Sequence, residues 1–436
     1  MRPNRAYQAS VVATCLAIGL YMTVSPALLT AIGVPYITTT GNFIFKLHPG
    51  TYALLAAVAF GLLSRGNPLT SAILSMRKHL PLVLHLCGIL LLFGYSMLRY
   101  GPSGSAFLIE TFMAPALIVL VLANFRASEQ RFVYRFILGL LVVNSLIAIG
   151  ETLLQQHLVP YIVSDGVAIE EEYFRATSLL GHPLNNAIIT ASLLFSTLDM
   201  RSRPAKVLLI GLFAIALLVF GGRAASIVAV GVLSAYLFIK AFSGIVTARF
   251  SYVQILGGAL LALALTALFA GVVAVSGFGE SIFSRLYLDD SAAIRMQNWQ
   301  VFNYMTPGEI LFGLSPQDIV QVMFRLGLHY PFETIEIPWI YMTMQFGLFG
   351  LAVLLVSLGS ASVWFYRRTA AGGRLALLVF FVIASTYSSL AAKNCALVLL
   401  FAAVASVSGL AVQRPRAVAK PARPRQRVGA TLKVST

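Results

Sequence analysis

The stretch NCALVLLFAAVASVSGLA, residues 394–411, decides the class of fold, because it contains no Asp, Glu, Lys or Arg. A helix that crosses a bilayer needs about 20 predominantly apolar residues. Working outward from this stretch, we predict transmembrane helices at about 11–33, 43–64, 82–98, 106–124, 132–154, 184–199, 205–221, 223–242, 253–276, 338–361, 374–391 and 394–411. The sequence therefore predicts an all-α polytopic membrane protein with about 12 transmembrane helices.

The composition of the whole chain agrees with this class. Of its 436 residues, 58% are hydrophobic and only 11% are charged, whereas a soluble globular protein carries roughly 25% charged residues. Soluble and disordered proteins are thereby excluded. We expect a single integral membrane domain over residues 1–413 and a basic, disordered cytoplasmic tail over residues 414–436.

The charge distribution predicts the orientation of the chain in the membrane. The formal net charge is +16, which would suit a nucleic-acid binder if the charges were clustered on a soluble surface. Instead, most basic residues fall on one predicted side, together with only the acids Glu129 and Asp199. The positive-inside rule makes this the cytoplasmic side and places both termini there. We expect the basic residues to contact membrane lipid and not to bind nucleic acid.

Two predicted periplasmic loops, at about 155–183 and 277–337, are longer than connectors need to be. The larger one is expected to be partly helical. In it, Ser315, Pro316 and Asp318 form a helix-start pattern, and Gly327 would end that helix. A second helix opening near 289–291 would place Arg295, Trp299 and Phe302 on one face.

Three arginines near the periplasmic side are candidate ligands for a lipid diphosphate: Arg175, Arg223 and Arg295. The guanidinium group is planar, donates two parallel hydrogen bonds and keeps its charge at any accessible pH. Charges at the membrane face are costly and tend to be functional. The alternative is that each arginine snorkels or pairs with a nearby carboxylate, such as Glu170–Glu172 for Arg175.

The segment HYPFETIEIPWI, residues 329–340, offers candidate proton acceptors in Glu336, His329 and Glu333. A carboxylate near the bilayer surface can act as a general base; the alternative is a solvated loop charge. His182 and Asn186 could bind glycan or phosphate, or could cap the sixth span. Trp299 and Glu333 are further candidates for binding glycan. The chain has no phosphate-binding glycine loop and no metal-type spacing, so we expect no cofactor and no metal.

Four segments in order resemble the O-antigen polymerase / O-antigen ligase superfamily: RATSLLGHPLNNA (175–187), GGRAAS (221–226), IRMQNW (294–299) and EIPWIYMTMQFGLFG (336–350). The resemblance implies a glycosyltransferase of the bacterial inner membrane that takes glycan from undecaprenyl diphosphate at the periplasmic face, without metal or nucleotide sugar. It also implies that the diphosphate is bound by Arg175, by Arg223 and by Arg295 together with Trp299. Chain-length regulator or flippase proteins are the partners that it implies.

One position departs from the ligase pattern. The ligases usually carry a His-Asn pair, but alignment back from Gly347 puts Glu336 and Ile337 there, with His329 seven residues upstream. Either Glu336 or His329 would then be the base. This departure favours a polymerase of O-antigen or exopolysaccharide repeat units that inverts the anomeric centre. The alternatives are a ligase that transfers glycan to lipid A-core and, from other classes, a secondary transporter or a structural partner of envelope proteins.

Overall fold

The computed structural model of the protein describes residues 4–37, 42–101, 105–159, 161, 174–247, 297–328 and 335–412. Within these ranges the chain is helical and forms no strand. The α-helices are α1 (Arg5–Thr23), α2 (Pro26–Ala31), α3 (Pro49–Leu63), α4 (Pro68–Lys78), α5 (Leu80–Tyr100), α6 (Ala114–Leu122), α7 (Ala127–Leu154), α8 (Pro183–Ser196), α9 (Arg203–Phe220), α10 (Arg223–Val246), α11 (Pro307–Phe312), α12 (Pro316–Arg325), α13 (Pro338–Arg368), α14 (Ala371–Ala384) and α15 (Ala396–Val412). A π-helical turn, Leu108–Met113, leads directly into α6.

Six of these helices are long and apolar enough to cross a membrane: α1, α5, α7, α9, α10 and α13. Shorter apolar helices are α3, the run Leu108–Leu122, α14 and the Ala396–Val407 part of α15. The all-α membrane class is therefore confirmed. The total of 12 spans stays a prediction, because the predicted span 253–276 and the tail 414–436 lie outside the described residues.

The ends of the longer helices meet at two levels. At one level, the Asn4 side chain donates to the carbonyl of Ser64 (2.8 Å) and the Ser360 hydroxyl donates to that of Pro81 (2.8 Å). We call this level the basic end, because it carries Arg65, Arg77, Lys78, Arg126, Arg201, Arg203, Arg367 and Arg368. At the other level, which we call the site end, Thr111 donates to the carbonyl of Ala392 (2.7 Å) and Tyr387 donates to that of Leu184 (2.8 Å).

Helix α15 lies at the centre of the bundle. Each residue from Ala396 to Val404 is at most 1% exposed, and the helix packs against α6, α7, α8 and α13. A helix that is apolar on all sides is stable only when other helices surround it. The uncharged stretch of sequence that decides the class of fold is thus also the element around which the other helices pack.

The predicted first span, 11–33, is wrong as a single helix, because α1 ends at Thr23 and α2 begins at Pro26. The hydroxyl of Ser25 accepts a hydrogen bond from the Leu28 amide (3.1 Å) and so caps α2. Pro26 lacks an N–H and suits the first turn of a helix, but its ring disfavours a helix that continues into it from the preceding residues. The chain therefore turns here, at the site end.

The described part of the larger loop, together with the start of α13, builds a small apolar core of its own. Val301, Ile319, Met323 and Met344 are buried in it. Ser315 is the N-cap of α12, where its hydroxyl accepts from the Asp318 amide (3.2 Å). Gly327 follows the helix with a φ of +79°. The helix predicted from the Ser315 pattern is therefore present.

Helix α13 is broken at Gly347, whose φ of 68° and ψ of 178° are not helical. Helix α11 packs against this break, and the amide of Leu314 donates to the carbonyl of Met344 (2.6 Å). Arg99, at the end of α5, donates to the carbonyl of Gly313 (3.2 Å). The outer subdomain is thus attached to the bundle where α13 changes direction.

We predict that Gly347→Ala destabilises the protein. A Cβ at this position would overlap the Leu311 backbone, and a left-handed conformation costs a non-glycine residue about 1–3 kcal/mol. The melting temperature in detergent should fall clearly. Gly359→Ala in the same helix is the matched control, since its Cβ would meet nothing within 4 Å and should leave the melting temperature unchanged or raise it. Equal melting temperatures for the two variants would contradict the predicted close contact at the break.

Candidate functional site

The loop that carries Arg175 is held by a buried carboxylate on α7. Glu151 is 4% exposed. One of its oxygens accepts from the amide of Leu158 (2.7 Å) and the other from the amide of Ser178 (2.9 Å). Ser178 has a φ of 43°, a conformation that non-glycine residues adopt only where their surroundings enforce it. Glu151 therefore joins the two ends of the loop that lies between α7 and α8.

A second polar contact from α7 fixes the same loop. The side chain of Asn144 accepts from the amide of Leu179 (3.1 Å) and donates to the side chain of Asn186 (2.9 Å). Asn186 donates in turn to the carbonyl of Thr177 (2.5 Å) and is fully buried. Asn186 is a candidate glycan ligand from the sequence. In this structure its side-chain amide forms hydrogen bonds inside the protein and supports the loop.

This anchoring brings the segments of Arg175 and Arg223 together. The amide of Ala176 donates to the carbonyl of Val219 at the end of α9 (3.5 Å), and Arg223 begins α10 only four residues further on. Gly222, just before Arg223, packs so closely on α8 that a Cβ there would lie 2.6 Å from that of Ala187. Two of the three predicted arginines therefore lie at one corner of the site end, beside the start of α8.

Helix dipoles add to the positive potential of this corner. Both α8 and α10 begin here. The N-cap of α10 is Gly222, and no side chain caps this helix end by a hydrogen bond. A helix N-terminus whose amides are not capped by a side chain is a favourable place for an anion. The arrangement can therefore bind a phosphate group through guanidinium and backbone N–H donors.

His182 is the N-cap of α8. Its Nδ1 accepts from the amide of Leu184 (3.2 Å), so the proton of the neutral ring lies on Nε2, which is 3.4 Å from the hydroxyl of Tyr161. Burial, and then the charge of Arg175, lower the pKa of His182 to about 4. The ring is therefore neutral near pH 7. Of the two roles that the sequence allowed, the structure shows the cap.

Glu336 enters the site end just before α13. Glu336 is partly buried, and its Oε2 atom is shielded from solvent. Three residues on, Trp339 donates to the hydroxyl of Ser385 at the end of α14 (2.9 Å). Two residues after Ser385, Tyr387 donates to the carbonyl of Leu184 (2.8 Å). This series of contacts connects the start of α13 to the start of α8, where Arg175 lies.

The remaining candidates are not brought into this group by the described structure. Trp299 is 62% exposed, and its ring centroid lies 6.2 Å from that of Phe302. The described part of the predicted helix, Asn298–Tyr304, is a 3₁₀-helix and not an α-helix. Arg295, His329 and Glu333 lie outside the described residues, as do Glu170–Glu172. The pairing of Arg175 with those glutamates therefore stays a prediction.

A second polar cluster, which we call the Glu110 cluster, lies at the same end beside the Arg175 loop. Glu110 accepts from the hydroxyl of Tyr36 and from the amide of His48. Lys393 donates to the carbonyls of Tyr36 (2.7 Å) and Lys46 (2.9 Å). Tyr36, His48, Glu110 and Lys393 line a cavity of about 20 Å³, which is space for one water molecule. Lys393 was not a candidate from sequence, although it is a lone charge between two apolar runs.

None of the known protein families has a model that matches this chain, and no curated protein matches it. The resemblance to the O-antigen polymerase / O-antigen ligase superfamily therefore stays a prediction from the four segments that suggest it. The function has to be argued from the geometry of the site end.

We predict that acidification destabilises the protein through His182. The unfolded imidazole takes up a proton near pH 6.5 and the folded one only near pH 4, so the unfolded state binds more protons between these values and stability falls as the pH is lowered. The variant His182→Asn keeps a good helix cap but cannot titrate. Its melting temperature should fall less between pH 7 and pH 4.5. Some dependence should remain, because burial also lowers the pKa of His79 to about 4. Identical slopes for both proteins would refute the assignment.

Proposed function

We propose that the protein is a membrane glycosyltransferase that polymerises oligosaccharide repeat units linked to a polyprenyl diphosphate. The observation that carries this proposal is that the separate segments of Arg175 and Arg223 come together beside the start of α8 and the start of α10, which no side chain caps by a hydrogen bond. Fixed arginines and helix N-termini at the end of an apolar bundle suit a diphosphate whose lipid tail stays in the membrane.

The electrostatic surroundings support an anionic substrate at this corner. Other described acids of the site end already accept hydrogen bonds inside the protein: Glu110 from Tyr36 and His48, Glu151 from two backbone amides, Glu309 from Thr306 and Asp318 from Ser315. Each of these acids therefore already has hydrogen-bond partners of its own. Arg295 would complete the group of three arginines.

The reaction that we propose needs one base and a stabilised leaving group. Glu336, or His329 in its place, takes the proton of an acceptor sugar hydroxyl. The hydroxyl oxygen forms a bond to the anomeric carbon of the donor from the face opposite the diphosphate, and the bond from that carbon to the diphosphate oxygen breaks. The anomeric centre is inverted, and the polyprenyl diphosphate leaves with its charge held by Arg175 and Arg223.

The proposed location is the bacterial inner membrane, with the site end facing the periplasm and both termini in the cytoplasm. The concentration of cations at the basic end supports this orientation. A polyprenyl-diphosphate glycan would then enter from the outer leaflet and reach the arginines without leaving the bilayer.

The test of the function uses the purified protein with a polyprenyl-diphosphate oligosaccharide, first alone and then with lipid A-core. A ladder of repeat units formed without an added acceptor supports the polymerase. Product formed only with lipid A-core would replace it with a ligase, which uses the same donor chemistry. No product with either acceptor would overturn the proposal for these substrates.

We predict that Arg223→Ala and Arg175→Ala each lower polymer formation by at least 100-fold, because each removes a group that stabilises the leaving diphosphate. Arg325→Ala is the matched control, since this arginine is exposed on α12 at the same end and should keep near-normal activity. The measurement is polymer yield at equal amounts of folded protein in the membrane. Normal polymer length in Arg223→Ala would disprove the role of this corner.

We predict that Glu336→Gln lowers turnover by about 100-fold or more while the donor still binds, since a general base contributes about 10²–10⁴-fold. Donor binding and turnover should be measured on the same preparation. Glu309→Gln is the control: its carboxylate completes a capping box with Thr306 in the outer subdomain. Full activity in Glu336→Gln would transfer the role to His329, which is tested in the same way.

A second candidate function is secondary transport, and the Glu110 cluster favours it. Buried ionisable groups in a membrane domain often mark ion or substrate pathways, and α13 is interrupted at a glycine, as transporter helices often are. Counterflow of a labelled solute into liposomes that contain the protein would support this alternative. Its absence, together with polymer formation, would exclude it in favour of the glycosyltransferase.

A further inference from the structure

Helix α4, at the basic end, presents an apolar stripe away from the protein. Leu69, Ile73 and Met76 follow one another at the spacing of a helix face and are all exposed. Ser71, on the opposite face, is buried. Leu63 at the end of α3 and Leu80 at the start of α5 are exposed as well, and they flank the helix on both sides.

Basic side chains lie around this stripe. Arg65 precedes α4 and is exposed, while Arg77 and Lys78 occupy its last turn and are also exposed. Arg368, at the end of α13, lies over the ring of Trp364 (4.7 Å) and within 3.0 Å of His79, the residue that follows α4. The charges of Arg368, Lys78 and Arg65, after burial, contribute to the low pKa of His79, so these charges converge on one region.

The two described acids of the basic end do not neutralise this group. The carboxylate of Asp199 accepts from the amides of Gly372 (3.2 Å) and Gly373 (3.1 Å) at the start of α14. Glu129 accepts from the hydroxyl of Ser128 on α7 (2.9 Å). Both acids accept hydrogen bonds on other helices, and α4 itself carries no acid.

We propose that α4 is an interfacial helix whose patch of Arg65, Arg77, Lys78 and Arg368, together with the stripe of Leu69, Ile73 and Met76, binds anionic phospholipid in the leaflet at the basic end. The apolar stripe would contact acyl chains, and the cations would contact headgroup phosphates. An amphipathic helix with an apolar face bordered by Lys and Arg is the usual form of such a lipid-binding element.

A lipid fits this surface better than a second copy of the chain does. The exposed leucines of α3 and α5 continue the stripe into the surface of the bundle that faces the bilayer. A symmetric dimer through α4 would place the same cluster of positive charges against itself, because a two-fold interface uses the same patch on both subunits. Like charges brought together in this way are strongly unfavourable.

The test compares binding of phosphatidylglycerol and phosphatidylcholine with identical acyl chains to the full-length protein in detergent, by native mass spectrometry and lipid titration. The variant is Arg65→Gln/Lys78→Gln, and the matched control is Arg201→Gln/Arg203→Gln. The control removes the same charge from exposed positions at the start of α9. Circular dichroism and melting curves check that both variants are folded.

We expect the native protein to prefer phosphatidylglycerol. Arg65→Gln/Lys78→Gln should lose about fivefold in affinity for each charge removed, since each basic residue near an anionic surface contributes about 1 kcal/mol. The control should stay within twofold of the native protein. An equal loss in both variants, an equal affinity of the native protein for the two lipids, or a dimer cross-linked through cysteines placed in α4 would each overturn the proposal. None of these outcomes depends on the glycosyltransferase activity.

Discussion

The position of the candidate site depends on one buried carboxylate, Glu151 of α7. Inside a bilayer, backbone groups cannot turn to water, so each buried amide needs a partner in the protein. Glu151 supplies two acceptors, to Leu158 and Ser178, and Asn144 adds a third contact from the same face of the helix. The loop with Arg175 is thereby fixed against α7 and α9. The Ala176 amide joins the same loop to the end of α9, which brings the segment of Arg175 close to that of Arg223.

The packing around α15 gives the two ends of the bundle different chemistry. Helices α8, α10, α13 and α15 all begin at the site end, so their N-terminal dipole ends add positive potential there. The carboxylates of Glu151 and Glu309 at this end accept hydrogen bonds from backbone amides in a loop and a helix cap. The fold itself therefore favours an anionic ligand at the site end, and in the proposed function Arg175 and Arg223 would add directional hydrogen bonds to the potential that the helices provide.

Local patterns predicted local features well. The Ser315-Pro316 pattern predicts the start of α12, and the uncharged run at 394–411 becomes the buried central helix. The sequence also placed Arg175 and Arg223 at one end of the bundle. It could not assign a structural role to Glu151 or Asn144, which are separated by seven residues on one face of an apolar helix, because their partners are backbone amides that no sequence pattern identifies. Hydropathy alone likewise joined α1 and α2, since Ser25 and Pro26 hardly interrupt the apolar run.

The cations at the two ends act through different physics. At the basic end, the long side chains of Arg65, Arg77 and Lys78 are exposed to solvent. Their charges therefore act together as an electrostatic field, which salt screens. At the site end, Arg175 and Arg223 are half-buried, and the protein fixes the backbone on which they lie. A fixed, partly desolvated guanidinium can discriminate between the ground state and a state in which negative charge grows on a leaving group, because it does not need to reorganise when the charge appears. A mobile, hydrated guanidinium cannot discriminate between these two states. We therefore infer that burial, rather than the number of arginines, would suit the corner of Arg175 and Arg223 to the proposed catalysis, while the more strongly charged basic end is suited to binding a membrane surface.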